Sequence, residues 1–183
     1  MNRNIFVSAA SAALLLSSAY AHAEKFSTTL SGFEEIGGLG AGETGAILSD
    51  GAATLDLDLN RGAQTLTFTL RLNGGFTTPV TQSHIHFGKV HVAGGIIVFF
   101  CSNLPNPPAG TQACPTSTGT VTGTIHAADV VGPTGQNVSA GDFDALADAL
   151  ESNTAYANVH TMKFPAGEIR GQIHRGDRDD DNR

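Results

Sequence analysis

Ala53-Thr54-Leu55-Asp56-Leu57-Asp58-Leu59-Asn60 alternates apolar and polar side chains without a break. After the turn Asn60-Arg61-Gly62-Ala63 the pattern resumes in Leu66-Thr67-Phe68-Thr69-Leu70-Arg71-Leu72. Successive side chains on a strand point to opposite faces, so each run sorts its leucines onto one side and its polar residues onto the other. Two such runs joined by a short Asn/Gly turn predict an antiparallel hairpin with one face on a core and one in water. Asp56 and Asp58 are then solvated positions on the wet face.

Working outward, Lys25–Leu30 reads as a strand, as do Val80–Phe87, Gly119–Ala127, Thr154–Met162 and Glu168–His174. The unbroken apolar run from Gly94 to Phe100 predicts a central strand covered on both faces. The last two segments form a second hairpin. Its polar outer face would carry Tyr156, Asn158 and His160 on one strand, and Glu168, Arg170, Gln172 and His174 on the other. Only Ser139–Leu150 departs from the period of two. Its apolar residues recur at helical spacing, and Ser139 with Asp142 has the form of a capping box. The chain is expected to be all-β and antiparallel, with one short amphipathic helix.

The ends have a different character. Arg3, the apolar run Ile5–Leu16 and the small-x-small site Ala21-His22-Ala23 predict a secretory signal peptide over residues 1–23. Its apolar core is too short to span a bilayer. Cleavage removes one Arg and no acid, taking the formal charge from −7 to −8. The remaining domain, residues 24–174, has a length suited to one core. A mixed-charge tail, residues 175–183, is expected to be disordered. The product is periplasmic or secreted, and its acidity argues against nucleic acid and anionic membranes as partners. Cys101 and Cys114 are the two cysteines. In an exported chain they predict a disulfide around the loop Ser102–Ala113, contributing about 3 kcal/mol in the chain-entropy description.

Ser83-His84-Ile85-His86 places two imidazoles two residues apart on a strand. If Ile85 faces the core, His84 and His86 share the outer face. A third donor, His160, stands on the polar face of another strand, with His91, His126 and His174 in reserve. Neutral imidazole is the commonest protein ligand for zinc and copper, so His84, His86 and His160 are the candidate metal site. Glu168 and Arg170 are candidate supporting residues around it, able to orient a histidine or gate an anion.

Three blocks carry a family resemblance: Leu30-Ser31-Gly32-Phe33-Glu34-Glu35, then Ser83-His84-Ile85-His86 with its Gly-Gly-apolar strand, then Ala157-Asn158-Val159-His160-Thr161 with Phe164-Pro165-Ala166-Gly167-Glu168-Ile169-Arg170-Gly171-Gln172. Together they resemble the CHRD (chordin) domain, in its bacterial-type secreted single-domain form. The resemblance implies an immunoglobulin-like or superoxide-dismutase-like β-sandwich. It implies no particular reaction, and a lone domain departs from the repeated modules of the animal growth-factor antagonists. Three function classes follow. One is a non-enzymatic extracytoplasmic module that binds a protein or surface component. The second is a copper or zinc protein. The third is a superoxide-dismutase-like mononuclear copper enzyme. A dinuclear enzyme is disfavoured, because no histidine lies between His91 and His126 to bridge a second metal.

Overall fold

The computed structural model describes residues 23–37 and 45–176. The expected signal peptide up to His22, most of the glycine-rich turn at 37–45 and the tail from Asp177 lie outside the described residues. Among the described residues the fold is all-β with one short helix. The first strands are β1 (Glu24–Ser31), β2 (Ala52–Asn60), β3 (Thr65–Gly74), β4 (Val80–Phe87) and β5 (Gly95–Ser102). They are followed by β6 (Thr118–Ile125), helix α1 (Phe143–Glu151), β7 (Ala155–Thr161), β8 (Ile169–Gln172) and β9 (His174–Arg175). Every strand pairing is antiparallel, and one hydrogen-bonded path runs β5-β4-β7-β8-β1-β2-β3-β6. The two ends of that path approach each other, so the sheet curls into a nearly closed sandwich around its core.

The alternating hairpin forms as its pattern dictates. Leu55 pairs with Leu70, Leu57 with Phe68 and Leu59 with Leu66, and all six side chains are buried. Burying each leucine contributes about 1.5–3 kcal/mol. Opposite Phe68 on β6 sits Gly123, where any Cβ would strike the Phe68 ring. The ring uses that space to meet Phe100 of β5 at 4.7 Å between centroids. This contact joins the end strand β5 to β3, the next-to-last strand at the other end of the path, across the core.

Three local expectations are corrected. The apolar run of β5 does not mark a central strand, because β5 terminates the path. Its inward residues Ile97, Val98 and Phe100 are core, while Ile96 and Phe99 are half-buried beneath other elements. Apolar continuity reports how many faces are covered, not how many neighbours pair. The helix begins later than the capping-box reading placed it. Its N-cap is Asp142, whose Oδ1 accepts from Ala145 N at 3.0 Å. Phe143, Leu146, Ala147 and Leu150 face the core, and Arg61 of the β2–β3 turn spans Asp144, Asp148 and Glu151 on the outside. Finally, Arg175 and Gly176 do not leave the sheet. Arg175 pairs with Phe26 in β1, and Gly176 N donates to Lys25 O at 2.8 Å.

Cys101 and Cys114 are joined by a disulfide with an S–S distance of 2.07 Å. It closes the loop after β5, where Asn103 Nδ2 donates to both Val80 O and Cys114 O.

Candidate metal centre

The register of β4 against β7 builds the site. Gln82 lies opposite His160, His84 opposite Asn158, and His86 opposite Tyr156. Cross-strand partners in an antiparallel pair share a face, so these six side chains form a grid on one side of the sheet. The other side carries Ile85, Ala157 and Val159, all in the core. Strand β8 extends the grid, with Arg170 beside Asn158 and Gln172 beside Tyr156. On the opposite flank the β4–β5 pairing slips between Ser83 and His84 and again between Ile85 and His86. Such bulges re-aim side chains at functional positions.

Parity puts each of the three histidines on a polar strand face, and the β4–β7 pairing joins those faces into one. That face is not a surface. His84 is 1% exposed, His160 5% and His86 9%. The cover comes from chain segments distant in sequence, and a half-open pocket of about 240 Å³ adjoins the rings, bordered by Glu35, Gly37, Ala93, Gly94 and Ala166. Ring nitrogens from His84, His86 and His160, one each, lie within 4.8 Å of one another.

Backbone carbonyls set the tautomers. His86 Nδ1 meets Gly94 O at 2.9 Å and His160 Nδ1 meets Pro165 O at 2.8 Å. A carbonyl only accepts, so both Nδ1 atoms carry the proton and both Nε2 atoms keep their lone pairs. Such contacts orient metal-ligating histidines. His84 Nδ1 sits 2.8 Å from His86 Nε2. A proton on His84 Nδ1 closes that contact as a hydrogen bond. It is also the separation of two nitrogens held about 2.0 Å from one ion at a right angle. His84 Nε2 and His160 Nε2 are buried without a partner.

Burial dominates the electrostatics. It holds His84 well below the usual histidine range, helped by repulsion from His160 and His86. Burial lowers His86 to about 4 against the opposing pull of the Gly94 carbonyl and the nearby Asn158 amide. His160 is likewise lowered to about 4 by burial, with the Pro165 carbonyl opposing and His86 adding to the shift. All three rings are neutral at neutral pH, the form that binds a metal.

Glu168 and Arg170 are both buried, and their hydrogen bonds and ring contacts go to residues other than the three histidines. The Glu168 carboxylate accepts from Ser49 Oγ, Thr77 N, Thr77 Oγ1 and Thr161 Oγ1 at 2.5 to 2.9 Å. Burial raises its pKa, and the hydrogen bonds from Ser49, Thr161 and Thr77 outweigh that, leaving it below the ordinary value. Arg170 places its guanidinium 3.4 Å above the Tyr156 ring, and Tyr156 stacks on His86 at 4.7 Å with the rings parallel to within 1°. The same guanidinium donates to Lys89 O and Val92 O, fixing the loop that supplies Gly94. His91, His126 and His174 are exposed and take no part in the cluster.

Sequence reasoning did not select Glu35, Tyr156 or Asn158. Glu35 is 2% exposed and accepts from Ile36 N, Gly37 N and Asn158 Nδ2. Asn158 is 2% exposed, and its Oδ1 has no partner. Gly167 makes room for the pair, since a Cβ there would strike both Asn158 and Glu35. The available signal was parity: Tyr156 and Asn158 alternate onto the face of His160.

Searches of curated proteins and of solved structures return no match. A family model, the CHRD domain, matches residues 26–173, a span that takes in every strand bearing the site. By that match, over most of its length, the chain belongs to the CHRD domain family.

Proposed function

We propose that the chain is an extracytoplasmic binding module whose His84, His86 and His160 hold one copper or zinc ion. The observation that carries this reading is the convergence of one ring nitrogen each from His84, His86 and His160 to within 4.8 Å of one another, in a buried cluster where His160 Nε2 has no other partner. Burying polar atoms unpaired is unfavourable, and an ion supplies the missing interaction. Imidazole sites bind copper most tightly among the divalent first-row ions, so copper is the stronger candidate. Arg170 supports the site through Tyr156 and the 88–94 loop, and Glu168 ties β8 to Ser49 and Thr77 around it.

Export is supported by the N-terminal signal pattern, the disulfide and the family. No helix among the described residues is long and apolar enough to cross a membrane. The macromolecular partner is an extracytoplasmic protein or surface component.

Calorimetric titration with Cu(II) and Zn(II) tests the site. One equivalent is expected to bind, and H84A/H86A is expected to abolish uptake. No saturable uptake, or uptake unchanged in the double variant, refutes the reading. A superoxide dismutation assay on the copper-loaded protein separates a carrier from a mononuclear copper enzyme.

A further inference from the structure

Three histidines leave a tetrahedral or square ion one ligand short. What could complete the set is constrained by the surrounding residues. The cavity of about 240 Å³ borders all three rings together with Glu35, Tyr156 and Asn158. Water occupies about 30 Å³ in the liquid, so the space exceeds what one ion and one water require.

Asn158 gives that space a chemical preference. Its Nδ2 donates to Glu35 Oε2 at 2.9 Å. A carboxylate accepts and does not donate, which fixes the amide orientation. Asn158 Oδ1 is thereby left as a buried acceptor without a donor. Two of the three imidazole protons are already committed, and His84 makes no hydrogen bond to it. His86 Nδ1 and His160 Nδ1 already give theirs to Gly94 O and Pro165 O. Glu35 has only acceptor oxygens, and its other contacts are to Ile36 N and Gly37 N.

We propose that the ion held by the triad keeps a coordination position open toward this cavity, filled by a small exogenous ligand whose O–H or N–H donates to Asn158 Oδ1. Water fills the position at rest. The class of exchangeable ligand is a molecule of a few heavy atoms bearing a proton on its donor atom, such as hydrogen peroxide or a primary amine. Acceptor-only anions are disfavoured by the carbonyl oxygen facing them. The inference rests on the metal reading above, and goes beyond it by assigning an exchangeable ligand and its positioning residue.

The test uses the Cu(II)-loaded protein. Pulsed electron paramagnetic resonance in D2O is expected to show three coupled imidazole nitrogens and, beyond the weakly coupled imidazole N–D, the strongly coupled deuteron of a water bound directly to copper. Azide titration, followed by its charge-transfer band, is expected to show tighter azide binding in N158L by about five-fold, the value of one hydrogen bond lost to the competing water. Three nitrogens without that strongly coupled deuteron overturn the open position while leaving the metal reading intact. Unchanged azide affinity in an N158L protein that retains the three-nitrogen signature overturns the role of Asn158. Failure to bind copper at all overturns the metal reading, and this inference with it. The deuteron measurement needs no variant, so it decides even if N158L does not fold.

Discussion

The β2–β3 hairpin and the β4–β7 pair are written in the same code and end in opposite environments. In both, apolar residues alternate with polar ones, and in both the apolar face enters the core. On the hairpin the other face, with Asp56, Asp58, Thr67 and Thr69, remains partly or fully in water. On β4–β7 the other face, with His84, His86, Tyr156, Asn158 and His160, is buried almost completely. Alternation states which residues are together. It does not state what lies above them. A polar face left in water is solvated at little cost, whereas a polar face under cover must find a partner for every group. Two ring nitrogens and one amide oxygen on the covered face find none.

The comparison is broken most forcefully by acid. His86 and His160 fall to about 4 in the folded protein, against about 6.5 for an unfolded histidine. Between those values the unfolded chain binds more protons, so stability falls as pH drops through the window and is unaffected by these rings above it. The slope is about 1.4 kcal/mol per pH unit for each histidine, reaching about 3 kcal/mol apiece near pH 4. Urea unfolding of chelator-treated protein from pH 7 to 4 measures it, and H160Q should flatten the curve. A flat wild-type curve means the rings are solvated like the hairpin's polar face.

Gly167→Ala gives the next largest effect. Gly167 has φ +133, and a Cβ there collides with Asn158 and Glu35. The expected loss is about 1–3 kcal/mol by chemical denaturation, with weaker metal uptake as the cover shifts. A variant as stable as wild type would show that the cover yields freely.

Asp58→Asn should give the smallest effect. Asp58 pairs with Lys25 at 2.8 Å, but both side chains are largely exposed, at 44% and 76%. Exposed pairs contribute about 0–1 kcal/mol, so stability measured by urea unfolding should fall by less than about 1 kcal/mol. A larger loss would erase the contrast between wet and covered faces.

The hairpin, the helix and the shared face of His84 and His86 were legible because each depends on spacing within one segment. Burial of the histidines was not, since its cover comes from Glu35, more than 45 residues before His84, and from the loops at Gly94 and Pro165. The direction of long side chains was equally hidden. Glu168 shares the parity of Arg170, yet it turns to Ser49 and Thr77 while Arg170 turns over Tyr156. The place of β5 at the end of the sheet path escaped for a different reason. A strand covered on both faces looks alike whether it has one hydrogen-bonded neighbour or two.

The stack of Arg170, Tyr156 and His86 also makes the protein its own optical probe. The chain has no tryptophan and two tyrosines, Tyr20 and Tyr156. Tyr20 falls within the expected signal peptide, so in a chain beginning at Glu24 all tyrosine emission arises from one ring. That ring lies flat against a candidate ligand on one side and a guanidinium on the other. Occupancy of the histidine cluster can therefore be read by quenching of unlabelled protein, with no tryptophan emission to subtract.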